Sequence, residues 1–333
     1  MIAEPDLARL GIHRISVPVP FPEAGGPVNA YALEDRDGGL VLFDAGLGSP
    51  EAEGALSAGL ARLGRSAADV RRIVLSHGHV DHYGGARTLL ERAGHAVTVE
   101  AHPLDIPKVE EGHPRWGDLA PHYANYFRKL GVPPEAVADS AEEIAGGFRL
   151  ARRLPSVAPL ALARPLELAH ATFEPLHMPG HTPGLVCLYD REHRIFLSGD
   201  HLLERVSPNP LIELGPNGEE GWRPLVAYLA SVARLRALEV DLVLPGHSTP
   251  FAHPRAVIDR LLRFYEKRQA RILDYVQRRP ATAWELTRML FPSAPARATF
   301  LTVSEALANV EVLEAQGRIA RELEGGLYRF RSS

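Results

Sequence analysis

Short apolar runs, many of them β-branched, alternate with amphipathic segments over the first three quarters of the chain. Four runs are bounded by charged residues or glycine and are predicted to be buried strands: residues 40–43, 73–75, 194–198 and 242–244. Residues 50–63 and 225–238 instead repeat leucine at the spacing of one helix face. This alternation of strands and helices predicts an α/β body.

The last quarter of the chain has a different pattern. Residues 258–277 form a long amphipathic segment, and Thr282-x-x-Glu285 is a capping box that opens a short helix. A third apolar stripe ends at Gly317, and the glycine pair at 325–326 is a hairpin signal. We therefore predict a body over residues 1–254 and a small separate domain over residues 255–333.

Four side chains that can bind metal lie within six residues, directly after the predicted strand 73–75. They are His77, His79, Asp81 and His82. A loop at a strand end can aim several side chains at one point, whereas a helix would spread them around its circumference. Neutral imidazole suits zinc, iron and similar ions, and a carboxylate adds a charged ligand. We predict a metal site in preference to a polar loop that happens to be rich in histidine.

Three later stretches each present one more ligand on a tight turn. His181 stands in the turn P-G-H-T-P-G at 179–184. Asp200 follows a predicted strand in S-G-D-H, and His247 follows another in P-G-H-S. The recurring design is therefore a strand, a glycine turn and a ligand.

The H-x-H-x-D-H segment at 77–82, followed in order by these three motifs, resembles the metallo-β-lactamase superfamily, in its glyoxalase II-like and lactonase-like hydrolase branch. The resemblance covers roughly residues 10–250. It implies an αββα sandwich in which the ligands gather at one edge of two packed sheets. The C-terminal pattern resembles the small winged-helix domain that follows some hydrolases of this fold, one of them a ribonuclease-like relative.

The resemblance also implies a centre of two divalent metal ions, zinc first, with manganese and iron equally suited to such ligands. His77, His79 and His181 would bind one ion, Asp81, His82 and His247 the other, and Asp200 would bridge them together with a hydroxide. Two cations lower the pKa of a shared water and can polarise the attacked carbonyl or phosphoryl oxygen. Asp81 and Asp200 are the candidate catalytic residues, because either could pass a proton to the leaving group.

Two further interpretations concern the surroundings of this centre. In the resembling family an aspartate at the place of Asp44 supports the metal loop from behind, so Asp44 is expected to orient it. Residues 104–170 hold many prolines and aromatic residues and include helical segments at 121–130 and 134–145. We interpret them as an insertion that caps the metal cleft and favours a partly lipophilic substrate. The alternative is a helical layer or a dimer surface.

Composition narrows the class of protein. The chain has 333 residues, of which 45% are hydrophobic, as in ordinary globular proteins. No apolar stretch is long enough for a bilayer and the N-terminus lacks a secretion signal, so we expect a cytoplasmic protein with no membrane partner. The single cysteine, Cys187, excludes intrachain disulfides and is expected to be a buried strand residue. It is not placed like the zinc-binding cysteine of true β-lactamases, which argues against penicillin hydrolysis.

Charge is unevenly distributed along the chain. Residues 255–333 carry 14 Arg and Lys against 9 Asp and Glu, whereas the rest carries 23 against 32. A basic tail on an acidic body permits nucleic-acid contact. Several of those arginines have helical spacing, however, and would also suit a solvated helix face.

Two hydrolase functions follow from these observations. The first is cleavage of a small-molecule ester, thioester or lactone, favoured by the aromatic insertion and the acidic body. The second is an endoribonuclease that acts on single-stranded RNA, favoured by the basic tail. RNA binding would need a continuous basic path to the metals, which the sequence around the cleft does not show. A third, non-catalytic role for the tail is dimerisation, so a homodimer is among the predicted partners.

Overall fold

The computed structural model describes residues 4–20 and 25–333. Two large sheets are formed by these residues. The first contains β1 Ile12–Val17, β2 Val28–Glu34, β3 Leu40–Phe43, β4 Val70–Val74, β5 Thr98–Ala101 and β6 Ala158–Pro159, in that order. The second contains β7 Leu166–Glu167, β8 Thr172–His177, β9 Val186–Asp190, β10 Ile195–Gly199, β11 Leu242–Pro245 and β12 Phe251–Ala252, in reverse order from β12 to β7. The strands predicted from the apolar runs are therefore confirmed to within a few residues.

Helices cover both outer faces and connect the strands. In the body they are α1 Glu4–Arg9, α2 Pro50–Arg62, α3 Val80–Tyr83, α4 Ala86–Arg92, α5 Ile106–Glu111, α6 His113–Lys129, α7 Pro134–Phe148 and α8 Pro224–Arg236. The C-terminal part contains α9 Pro254–Arg278, α10 Ala283–Leu290, α11 Thr299–Ala315 and the hairpin β13 Ile319–Glu324 with β14 Leu327–Ser332. The capping box at Thr282 is present, since Thr282 and Glu285 exchange hydrogen bonds.

Three apolar layers hold the body together. Phe43 and Val74 of the first sheet pack against Phe173 and Leu197 of the second, so the two sheets share one core. The outer face of the first sheet packs on α2 and α4, and the outer face of the second packs on α8 and the first half of α9. This order of layers confirms the αββα sandwich, because each sheet packs one face on the other sheet and the other face on helices.

A fourth core lies between the insertion and the C-terminal part. Tyr126 and Phe127 of α6 pack with Leu286 of α10 and Val303 of α11. Helix α9 contributes to two cores, because Ile258 packs on the body whereas Ile272 packs with the C-terminal helices. The predicted order of three helices and a hairpin is observed, and the winged-helix assignment and the boundary at residues 254–255 stay predictions.

Two local predictions were wrong. Asp81 and His82 do not lie on an open loop but on the one-turn helix α3, which His79 precedes. A single turn is too short to spread its side chains around a circumference, so they can still face one point. Helix α6 begins at His113 and contains Pro121 in its interior, where proline was expected to start the helix. Proline removes one hydrogen bond inside this helix, whose Trp116 and Leu119 are buried by tertiary packing.

Candidate metal centre

Parallel strand pairs bring the predicted ligands to one end of the sandwich. In the first sheet β3 pairs in parallel with β4, and the loop after β4 carries His77 and His79. In the second sheet β10 pairs in parallel with β11, and these strands are followed by Asp200 and His247. His181 lies in the turn between the antiparallel strands β8 and β9. Because the carboxyl ends of parallel strands share one edge, residues far apart in sequence meet there.

Three histidine nitrogens converge at the first part of the site. Nδ1 of His79 lies 3.0 Å from Nε2 of His77 and 2.9 Å from Nε2 of His181. Ligand atoms bound to one tetrahedral zinc ion lie about 3.3 Å apart, given bonds of about 2.0–2.1 Å. The observed spacing is therefore close to that of three ligands of a single ion.

The second part of the site combines two histidines with two carboxylates. Nε2 of His247 lies 3.3 Å from Oδ2 of Asp81 and 3.4 Å from Oδ2 of Asp200. Nε2 of His82 lies 3.5 Å from Oδ1 of Asp200, and Oδ2 of Asp200 lies 3.6 Å from Nε2 of His181. Asp200 thus stands between the two parts of the site, as the resemblance implies. All seven predicted side chains are brought together, in overlapping groups of three whose ligand atoms lie within 4.8 Å.

The outer nitrogens of four histidines are held by hydrogen bonds, so that Nε2 faces the centre. Nδ1 of His82 donates to Oδ2 of Asp44 at 2.8 Å, and Nδ1 of His77 donates to Oγ of Ser76 at 2.9 Å. Nδ1 of His181 donates to a backbone carbonyl at 3.0 Å, and Nδ1 of His247 donates to another at 3.2 Å. Partners of this kind fix the tautomer and orientation of histidines that bind metal.

Burial and neighbouring charge divide the histidines into two classes. Burial, followed by the charge of neighbouring histidines, lowers the pKa of His77 well below its usual range and that of His79 to about 3. These imidazoles are neutral at pH 7, which is the form that binds metal. For His247, burial is the largest single effect and lowers the pKa. The charges of Asp200 and Asp81 and their hydrogen bonds together outweigh it and raise the pKa to about 10. A cation at this position would take the place of that proton.

Two buried atoms at the centre indicate that the residues fit a cation. Nε2 of His82 and Oδ1 of Asp200 face each other with no hydrogen-bond partner among the described residues. Leaving a buried polar atom unpaired costs about 1–3 kcal/mol. A divalent ion would satisfy both atoms, and the mixed imidazole and carboxylate donors suit zinc, manganese or iron.

Close backbone contacts set the position of the two ligands in the second sheet. Gly199 has a φ of +46°, and a side chain there would collide with Ser76 of the facing loop. Gly246 lies against the carboxylate of Asp200, with no room for a Cβ atom. Asn29 of β2 donates to the carbonyl of Pro245 at 2.9 Å and so holds the loop of His247 against the first sheet.

Asp105, which the sequence analysis missed, connects two of the ligand loops. Its fully buried carboxylate accepts from the backbone N–H of Gly78 at 2.8 Å, from Oγ1 of Thr182 at 2.8 Å and from the N–H of Gly184 at 3.1 Å. Lys108 donates to it at 3.0 Å and also to Glu213 at 2.6 Å. Asp105 follows β5 in a segment without a recognised motif, so only its contacts reveal this role.

A cavity of about 420 Å³ opens on the centre, and its walls come from four parts of the chain. The metal loop supplies His79 and Asp81 at one end. The insertion helices and the C-terminal helix α11 supply apolar side chains, which are Trp116, Leu119, Tyr123, Phe148, Phe300 and Leu301. Residues 203–214, here named the wall segment, complete the cavity with Leu203, Val206, Leu211 and Ile212 among others. The insertion thus lines the cavity that opens on the ligands, and the contribution of α11 was not foreseen.

A family model described as the metallo-beta-lactamase superfamily matches residues 24–247, which is more than half of the chain. The chain belongs to the metallo-beta-lactamase superfamily. A second model, described as the C-terminal domain of metallo-beta-lactamase-like proteins, matches residues 269–333. A probable metallo-hydrolase from Bacillus subtilis strain 168 is 30% identical over 320 residues, which are 96% of this chain and 97% of that relative. The protein is accordingly a metal-dependent hydrolase, whose His and Asp cluster suits divalent metal ions.

Similar proteins extend this assignment. A metallo-beta-lactamase family protein from Thermus thermophilus superposes with a TM-score of 0.80 at 31% identity, covering 97% of this chain and 99% of that one. A beta-lactamase domain protein from Burkholderia ambifaria shares the fold, with a TM-score of 0.82 at 23% identity over 97% of this chain and 92% of that one. The acyl-coenzyme A thioesterase MBLAC2 of Gallus gallus is 30% identical over 246 residues, which are 71% of this chain and 77% of that one. Among the described residues, no helix has the length and apolar character to cross a membrane.

Proposed function

We propose that this protein is a binuclear metal-dependent hydrolase of a small-molecule ester, thioester or lactone, and that thioesters with an apolar acyl group are its best substrates. The observation that carries the proposal is the cavity, whose apolar walls lead to the ligand cluster. An acyl chain buried there would place its carbonyl carbon beside His79 and Asp81. The similarity to an acyl-coenzyme A thioesterase supports the same substrate class.

In this proposal His77, His79 and His181 would hold one ion and Asp81, His82 and His247 would hold the second, with Asp200 available to both. When bound, a zinc pair supplies a hydroxide near neutral pH and Lewis acidity toward the carbonyl oxygen. The chain itself excludes water with Trp116 and Phe300 and orients the acyl group.

Asp81 and Asp200 line the cavity, and they are the candidate residues for proton transfer to the leaving group. Asp81 keeps 13% of its side chain exposed, and the charges of His82 and His247 outweigh burial and hold its pKa at about 2. It is therefore ionised at neutral pH and can accept a proton that is then passed to the leaving group. Asp200 is the other candidate for this transfer, since it also borders the cavity.

Single-stranded RNA is the alternative substrate, and the cavity and the surface charges give it less support. Part of the positive charge of the C-terminal arginines is neutralised, because Arg268 pairs with Glu305, Arg321 with Glu314, and Arg329 with Glu285. Such pairs reduce the positive field that a phosphate backbone would need.

The test is hydrolysis by protein of measured metal content. The substrates are acetyl, octanoyl and palmitoyl thioesters of coenzyme A, a lactone, an oxygen ester and single-stranded RNA. His79→Ala removes one proposed ligand, and His170→Ala is the matched control because His170 is exposed and outside the cluster. We expect thioester turnover that His170→Ala retains and His79→Ala loses. RNA cleavage without turnover of any acyl substrate would overturn the proposal.

A further inference from the structure

The wall segment is attached to the C-terminal helices by hydrogen bonds at residues 208–212. The hydroxyl of Tyr265 in α9 donates to the carbonyl of Pro208 at 3.3 Å in the buried interior. Nδ2 of Asn209 donates to the carbonyl of Leu301 at 3.4 Å, and Oγ of Ser304 accepts from the N–H of Ile212 at 3.1 Å. Three hydrogen bonds from two C-terminal helices therefore fix residues 208–212.

The same segment reaches the metal centre on its other side. The backbone carbonyl of Asn209 accepts the hydrogen bond from Nδ1 of His181 at 3.0 Å. This bond places the proton on Nδ1, so that Nε2 of His181 keeps its lone pair toward His79, 2.9 Å away. Asn209 is thus held by α11 through its side chain and holds a ligand through its main chain.

These contacts form one continuous path from α11 to the metal centre. We infer that the C-terminal domain positions His181 through the wall segment, with Asn209 as the positioning residue that joins them. The inference rests on the metal centre proposed above but not on the identity of the substrate. It also gives the C-terminal domain a role in the site other than binding nucleic acid.

The position of Asn209 depends on tertiary contacts because the wall segment has no regular secondary structure of its own. Its backbone is therefore held by side chains of neighbouring helices, and besides the C-terminal contacts Tyr123 of α6 donates to the carbonyl of Ile212 at 3.3 Å. Loss of one attachment would let the Asn209 carbonyl move, and His181 would lose its fixed tautomer and direction. Removing a partner that orients a metal ligand typically weakens metal binding about 10–100-fold.

The experiment measures zinc affinity by competition with a chelator and records the visible spectrum of the cobalt-substituted protein. The variants are Asn209→Ala, Ser304→Ala and Tyr265→Phe, each of which removes one attachment and no proposed ligand. Thr302→Val is the matched control, because Thr302 lies on the same helix as Ser304 but its hydroxyl donates to the carbonyl of Ala298, directly before that helix, at 2.8 Å. The melting temperature of the metal-free protein separates loss of folding from loss of positioning.

We expect Asn209→Ala and Ser304→Ala to bind one of the two ions about tenfold or more weakly and to change the cobalt spectrum, whereas Thr302→Val behaves as wild type. Metal-free Ser304→Ala and Thr302→Val should melt at similar temperatures, since each loses one hydroxyl. Should Ser304→Ala fail to fold, Asn209→Ala and Tyr265→Phe carry the comparison. Unchanged affinity and spectrum in folded variants would overturn the inference and leave the metal centre standing. Absence of metal binding by the wild-type protein would overturn both.

Discussion

Nδ1 of His82 lies 2.8 Å from Oδ2 of Asp44, a buried carboxylate that also accepts from the N–H of Ser76 at 2.7 Å. The backbone of Asp44 has a φ of +64°, a conformation that asparagine tolerates as aspartate does. Asp44→Asn should therefore fold. Its amide group would present a donor to Nδ1 of His82 and favour the tautomer with the proton on Nε2, which cannot bind metal.

We expect Asp44→Asn to weaken metal binding about 10–100-fold. Metal content after dialysis and the affinity in chelator competition measure this effect. The matched control is Asp190→Asn, because Asp190 is equally buried and binds His193 at 2.7 Å outside the metal centre. Equal metal affinity in both variants would show that Asp44 does not orient His82.

Asp105 is expected to make the free energy of unfolding fall at acid pH. Burial, the largest single effect, raises its pKa, but the charge of Lys108 and the hydrogen bonds from Lys108, Thr182 and Gly78 outweigh it and lower the pKa below 3.8. The folded protein therefore binds the proton less readily than the unfolded chain does. The stabilisation is complete above the pH at which the unfolded group titrates and is lost as pH falls through the folded pKa.

Asp105→Asn should lower the free energy of unfolding of the metal-free protein by about 3 kcal/mol at pH 7, because it breaks a buried ion pair. The difference from wild type should shrink as pH falls below about 4. Urea unfolding of the wild type and of Asp105→Asn, at pH values between neutral and 3, measures this difference in the free energy of unfolding. A difference that stays constant over this range would show that the charge of Asp105 is not the source of the stability.

Phe300 should help to determine which acyl chains are hydrolysed. Its ring lines the cavity and stacks on Phe127 with 5.8 Å between centroids. Phe300→Ala enlarges the apolar space, so short acyl groups lose contacts whereas longer groups can fill it. We expect the ratio of kcat/KM for palmitoyl over acetyl thioester to rise about tenfold.

The control for this prediction is Phe264→Ala, since Phe264 packs beside Tyr265 in the body core and does not line the cavity. Both variants lose one phenyl ring, and only Phe300→Ala should change chain-length preference. A parallel shift in both variants would indicate a general effect on folding.

Cys187 should not take part in catalysis. Its thiol is fully buried in β9, and Sγ donates to the carbonyl of Ser198 at 3.3 Å. Burial raises the pKa of this thiol well above its usual range, so the reactive thiolate is scarce. Alkylating reagents should leave turnover of the folded protein unchanged and modify one thiol only after unfolding. Inactivation that parallels modification would contradict this prediction.

The amino-acid sequence determined the α/β class, the strands β3, β4, β10 and β11 and the residues that meet at the candidate metal centre. These residues could be predicted because the segment 77–82 comes directly after a short apolar run and because His181, Asp200 and His247 each follow a glycine, so these signals are local in sequence. Asp44 was also predicted, and its bond to His82 agrees with its expected role. The burial of Cys187 followed from its position in an alternating strand.

Only the tertiary structure decided what surrounds that centre. Asp105 and Asn209 act through hydrogen bonds to segments 27 to 92 residues away, and no local pattern marks such partners. Phe300 belongs to a helix whose apolar stripe predicts burial but not the cavity it faces. Local spacing can thus specify strands, turns and ligands, whereas the walls of a cavity depend on how distant elements pack.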